Sequence, residues 1–234
     1  MRPLPVYNIT PLETLRHFGV LKAFAKAVLR ILRVRPVVIV ALDLTPLEPP
    51  ATSGGDVREA TPDDSERFDA AGFPGLLPKK LPLGPAWISL GEAGMCAWYH
   101  LARRDSAIAD WLVVRTESQT TIWSGGIWVH RDLRGHDMAS RIRAPALRWS
   151  QQQGYRELAA WIDRTNHSSL HSSHKAGYRA IGQVLAFKRF GFAVVRHGRR
   201  WSAGRWTADH PLVISLEDLR EDYGPAVSLE TVIA

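Results

Sequence analysis

The sequence predicts an α+β fold: a mixed, mostly antiparallel central sheet flanked by helices, with an N-terminal amphipathic helix–strand extension. Three observations carry this. Apolar runs of strand length and helical stretches follow the order β-α-β-β-β-α-β-α-β, which is not the strict alternation of a doubly wound sheet. Three successive runs rich in Trp, Val and Ile (95–102, 108–115 and 120–130) are separated only by turn-like segments at 103–106 and 117–118, as in an antiparallel meander. Finally, 234 residues that are 45% hydrophobic and 23% charged are enough for one domain with an extension, or two small ones.

Taken in order, residues 14–33 place Leu21, Phe24, Ala25, Val28 and Leu32 at helical spacing, with Lys22, Lys26, Arg30 and Arg33 on the opposite side. Pro36 stops that helix, and the apolar run 37–42 reads as a strand, closing an extension over 1–47. The Pro-, Ser- and Gly-rich stretch 48–55 reads as a linker. A short strand at 57–60 leads into a helix start, with Thr61 as cap, Pro62 at the first helical position and Asp63, Asp64 and Glu66 near the positive end of the dipole. Residues 73–85, with four prolines and two glycines, read as loop. After the meander comes a helix ending near Gly154, with Pro145 inside it marking either a kink or a later start. Then follow a buried-looking strand at 158–162, a short helix at 166–176 closed by Gly177, strands at 181–188 and 192–196, and a Trp-rich hairpin at 198–206. A main domain over 56–190 is completed by 191–234.

An excess of 30 Lys and Arg over 23 Asp and Glu gives a net charge of +7, which favours anionic partners: phosphates, nucleic acid or an acidic membrane surface. The single cysteine, Cys96, excludes a disulfide framework and a Cys-based zinc site, and it suits a reducing, cytoplasmic compartment. It reads as a small buried residue. No apolar run reaches the ~18 residues of a spanning helix.

The chemistry concentrates between Ile127 and Tyr178. A strand that runs into a Gly-containing turn and then a helix start is an anion site, because the first amides of the helix point outward and the dipole adds about half a positive charge. Arg134 brings a forked donor to its mouth, with Arg141 and Arg143 in the first helical turns. A pyrophosphate suits such a site.

The stretch Val129-His-Arg-Asp-Leu-Arg134-Gly-His-Asp-Met-Ala139 resembles the acyl-CoA-binding motif of the GNAT acyltransferases, roughly Val-x-Pro-x-x-Arg-Gly-x-Gly-x-Gly/Ala. Downstream, Asn166-His-Ser-Ser169 and Lys175-Ala-Gly177-Tyr178 resemble the second motif of that family, and Val57-Arg-Glu-Ala-Thr-Pro-Asp-Asp64 its first strand and helix. The likeness covers about residues 56–190. It implies an acetyl-CoA or other acyl-CoA co-substrate and no metal. It also implies transfer of the acyl group to an amine or hydroxyl acceptor by direct attack, with the oxyanion held by strand amides. Carried over, Ile127, Trp128 and Val129 pair with the pantetheine arm and hold the acyl carbonyl. Arg134, Gly135, His136, Asp137, Met138 and Ala139 bind the diphosphate, and Asn166 with Ser169 lies beside the pantetheine.

Three departures qualify the likeness. His130-Arg131 replaces the usual x-Pro. Asp137 stands where glycine is usual, putting a negative charge beside the diphosphate. Ser173 holds the place of a tyrosine that serves as general acid for the thiolate, and a serine hydroxyl is a far poorer proton donor. No carboxylate lies between Thr120 and Val129 to act as base. His130 is the nearest imidazole and is taken as the candidate, with His100 and Asp110 on neighbouring strands behind it.

Two other classes compete: a non-catalytic CoA- or ligand-binding module on the same scaffold, suggested by Asp137 and Ser173, and a nucleic-acid-associated protein, suggested by the basic, aromatic segment 196–205. The last ranks lowest, since a charge run is usually a solvated face. His167, His171 and His174 share a helical face without a supporting acid, and read as solvated rather than as zinc ligands. Trp98, Trp111, Trp123, Trp128 and Trp161 read as core or pocket lining. The basic helix 14–33 either docks on its own sheet or on a second subunit in a homodimer, or lies on an anionic membrane leaflet at the inner face.

Overall fold

The computed structural model describes residues 34–46, 57–61, 64, 85–91, 94–130, 133–134 and 137–233. The helix read at 14–33, the linker at 48–55, most of the helix after Thr61 and nearly all of the loop at 73–85 lie outside the described residues. In chain order the strands are β1 (Val34–Asp43), β2 (Val57–Glu59), β3 (Ala86–Gly91), β4 (Gly94–Ala102), β5 (Asp105–Ala109), β6 (Leu112–Arg115) and β7 (Thr121–Val129). Then come α1 (Met138–Gln152), β8 (Glu157–Asp163), α2 (His167–Lys175), β9 (Arg179–Arg189), β10 (Phe192–His197) and β11 (Arg200–Gly204). The chain closes with β12 (Leu212–Ser215), α3 (Leu216–Tyr223), β13 (Val227–Ser228) and α4 (Leu229–Ile233). This is an α+β architecture. It divides into two compact units, one of Leu42–Ser106 with Glu117–Ala160, the other built from Ala107–Thr116, Trp161–Ala234 and β1 up to Ala41.

The first unit orders its strands β2-β3-β4-β7-β8. The pairs are antiparallel except β7–β8, which is parallel. Helix α1 covers one face. Met138, Ile142, Ala146, Leu147 and Ser150 are buried on it, and Trp149 sets its ring edge-on to Trp87 of β3 at 6.2 Å. Pro145 lies inside a continuous helix and removes the amide that would have bonded the Arg141 carbonyl. The helix ends in a Schellman motif: Gly154 takes a φ of 83°, its amide donates to the Gln151 carbonyl, and that of Tyr155 donates to Ser150.

Two elements depart from the sequence reading. Strand β3 occupies residues that the sequence reading leaves unassigned between the loop 73–85 and the run 95–102, because a six-residue strand directly after Pro85 gives almost no local signal. The middle run of the expected meander breaks at Asp110–Trp111 into β5 and β6, and β6 pairs in parallel with β12, some hundred residues downstream. Strand β4 therefore takes β7 as its neighbour. The apolar alternation of that run is genuine, but periodicity shows that a face is buried, not which strand lies beside it.

Asp64, three residues after Thr61, is buried at 2% exposure. Its carboxylate accepts from the Thr61 amide at 2.7 Å and pairs with both terminal nitrogens of Arg58 at 2.7 and 2.9 Å. The Arg58 guanidinium is the main reason its pKa falls to about 2. Its folded value lies below the unfolded one, so this stabilisation is complete above the ordinary carboxylate range and disappears as pH falls toward about 2. Arg58 is half exposed, which limits the effect to about 1 kcal/mol. Melting temperatures of the wild type and Asp64→Asn should differ at pH 7 and converge near pH 2.

In the second unit β1 pairs antiparallel with β9, and the order continues through β10 to β11. Val38, Ile39 and Val40 have no exposure, so the unbroken apolar run reflects a strand covered on both faces. The β9–β10 turn, Phe190-Gly191, has positive φ at both residues (51° and 77°), as a type I′ hairpin requires. In the β10–β11 turn a Cβ on Gly198 would lie 2.4 Å from that of Asp222, and its φ is 58°, so only glycine fits.

Candidate functional site

The first unit carries the distinctive geometry. Pairing of β7 with β8 runs from Thr121↔Glu157 to Trp123↔Ala159 and stops there. From 124 to 129, that edge of β7 has no ladder with β8 among the described residues. An open strand edge of this kind offers evenly spaced amides and carbonyls to an extended ligand. On its other edge β7 stays paired with β4, where the register slips: His100 faces Gly126 and Leu101 faces Ser124, so Gly125 is the extra residue of a bulge.

His100 of β4 explains the glycines. A Cβ on Gly125 would lie 2.1 Å from His100 Nε2, and one on Gly126 3.3 Å from His100 Cε1 and 3.2 Å from the Trp98 ring. The imidazole therefore lies across the bulge, stacked on Trp98 at 5.2 Å between ring centroids. Burial pushes its pKa down to about 4, so it is neutral at physiological pH. Its Nδ1 is sealed from solvent without a hydrogen-bond partner. Beside it Trp98, Trp128 and Ile88 form an apolar cluster, which gives two of the tryptophans a core role.

At the far end β7 leads through His130 toward α1. His130 is exposed and edge-on to Trp128 at 5.9 Å. Four residue steps along the strand separate it from Gly126, roughly 13 Å. Arg134 is exposed and folds back on the strand, its Nε donating to the Val129 carbonyl at 3.2 Å. Asp137 precedes the helix with a φ of 59° and ψ of 12°, the left-handed region that glycine enters freely. This is the physical reason a glycine suits that position. Its carbonyl accepts from Ser140 and Arg141 at 3.0 and 3.1 Å, so the amides of Met138 and Ala139 fall before the first helical bonds. Its carboxylate is exposed and makes no cap hydrogen bond, so it does not occupy the helix N-terminus. Arg143 is buried at 5% exposure and belongs to the packed side of α1. Gly135 and His136 lie outside the described residues.

The second unit holds the rest. Asn166 caps α2, its side-chain oxygen accepting from the Ser169 amide at 3.2 Å. Ser173 is buried at 7% exposure, and its carbonyl accepts from Tyr178 in the Schellman turn that Gly177 closes at a φ of 86°. His174 Nε2 lies 3.2 Å from Glu230, and among the described residues no group of three or more potential metal ligands is found. Asp110 is an exposed turn residue between β5 and β6. No helix among the described residues is long and apolar enough to cross a membrane.

The chain is similar to several solved GNAT acetyltransferase structures. One, ascribed to the GNAT family, is from Novosphingobium aromaticivorans, at 13% identity and a TM-score of 0.46, matching 63% of this chain and 60% of that one. Another is the aminoglycoside N-acetyltransferase AAC(6')-Iy in complex with CoA, at 20% identity and a TM-score of 0.38, matching 52% of this chain and 88% of that one. A third is an N-acetyltransferase from Staphylococcus aureus, at 18% identity and a TM-score of 0.44, matching 59% of this chain and 92% of that one. No family model and no curated protein matches.

Proposed function

We propose that the protein is an acyl-CoA-dependent acyltransferase that moves an acetyl or longer acyl group to an amine or hydroxyl acceptor. The observation that carries this reading is the departure of β7 from β8 after Trp123, which leaves an open edge leading to Arg134 and the first amides of α1. The arm of an acyl-CoA contains amides that suit the strand edge at Ile127, Trp128 and Val129, and its diphosphate suits Arg134 with the amides of Met138 and Ala139. The motif likeness also implies Asn166 and Ser169 as acyl-CoA-binding residues. The single cysteine fits a cytoplasmic setting.

In the reaction, the acceptor nitrogen or oxygen attacks the thioester carbonyl and loses a proton. A C–N or C–O bond forms, the C–S bond breaks, and the thiolate takes up a proton from Ser173 or water. His100, neutral and lying across the bulge, accepts the hydrogen of the attacking group and aims its lone pair. This makes His100 the better-placed imidazole, with His130 at the diphosphate end of the strand. Calorimetric titration with acetyl-CoA should show saturable binding, and free thiol should appear when a panel of primary amines is added. No heat at millimolar acetyl-CoA would end this reading. Binding without thiol release across the panel would favour the non-catalytic module, for which the carboxylate of Asp137 beside the anion site is the supporting feature.

A further inference from the structure

We infer that the β9–β10 hairpin tip is an insertion point for an anionic lipid surface. Phe190, at its apex, is 88% exposed and Phe192 46%. Phe190 also has a φ of 51°, a conformation a bulky side chain adopts only at a cost, and one for which Asn or Gly is the ordinary choice. A residue that is both strained and exposed gains nothing from the fold, so its apolar ring points to an external contact.

The surroundings select the partner. Arg189 holds its guanidinium 4.8 Å from the Phe190 ring, and Arg205 follows Gly204, which pairs with Ala193 next to Phe192. Lys188 and Arg189 lead directly into the tip, so it is flanked by cations on both β9 and the strand beyond β10. Two exposed apolar rings at a hairpin turn, flanked by Lys188, Arg189 and Arg205, match the acyl boundary and anionic headgroups of a leaflet. A second copy of the same surface is disfavoured by its like charges. Stacked bases are disfavoured because the Arg189 guanidinium already lies over the Phe190 ring.

The chain also enters β1 at this end of the strands: Val34 pairs with Phe187, three residues before Phe190.

The test is co-sedimentation of the full chain with vesicles of phosphatidylcholine alone and of phosphatidylcholine with about 30% phosphatidylserine. Wild type should bind only the anionic vesicles, and less as salt rises. Phe190→Asn combined with Phe192→Ser should lower partitioning by about tenfold or more. Phe190→Asn alone should keep or raise the melting temperature, because Asn accepts the left-handed turn, and should still weaken binding. Equal binding by wild type and both variants would overturn the proposal. So would wild-type binding to a single-stranded RNA oligonucleotide with no binding to vesicles.

Discussion

Replacing Arg134 by glutamate is expected to weaken acetyl-CoA binding by roughly 10- to 150-fold, the worth of a charge-assisted hydrogen bond or two. Arg134 is exposed, so the change costs little in folding, and the loss belongs to the ligand. The Nε bond to the Val129 carbonyl anchors the guanidinium at the end of the open β7 edge, where a diphosphate following the pantetheine arm would lie. Asp137→Gly is expected to act in the opposite direction. It relieves a φ of 59° that aspartate tolerates and glycine prefers, and it removes a negative charge from the residue before the helix N-terminus, the proposed diphosphate site. A tenfold gain in affinity and a stability gain of about 1 kcal/mol are expected. Calorimetry on the three proteins checks both. An unchanged affinity in Arg134→Glu would show that the diphosphate does not lie at this turn.

His100→Ala is expected to lower kcat by about 10²- to 10⁴-fold, the usual range for losing a group that handles the proton in the transition state. The KM for acetyl-CoA should barely change, because the imidazole lies over the bulge and not along the open edge. A loss shared equally by His130→Ala would move the role to the other end of the strand. Gly125→Ala should mimic His100→Ala, since its Cβ would stand 2.1 Å from Nε2 and push the ring off the bulge. His100 also leaves a mark on stability. Its folded pKa of about 4 lies below its unfolded value of 6.5, so as pH drops through this window the unfolded chain takes up a proton that the folded chain refuses. The fold should lose up to about 3 kcal/mol between pH 7 and 4, and His100→Phe should flatten that slope in denaturant melts.

The passage from β7 to α1 was legible because a strand end and a helix start have strong local chemistry: an apolar run that stops, then helical periodicity. Asn166 and Gly177 were legible for the same reason, one as an N-cap and one as the left-handed residue of a Schellman turn. Both helix ends, at Gly154 and Gly177, fall where the sequence reading put them. His100 was read only as a lesser candidate. Nothing in a strand reading Trp-Tyr-His-Leu says that the imidazole will lie on a diglycine 25 residues later, since that depends on the register between β4 and β7.

What the sequence determined by itself is therefore what acts within a turn or two of its own residue: helix caps and stops, the apolar alternation of each strand, the basic charge and the turn that opens α1. Tertiary structure alone decided which strands became neighbours. It sent β6 to β12, seated β1 along β9, and ended the β7–β8 ladder at Trp123. The reason is physical. Backbone pairing reads the same donors and acceptors in every strand, so the choice of partner rests on packing between residues far apart in the chain.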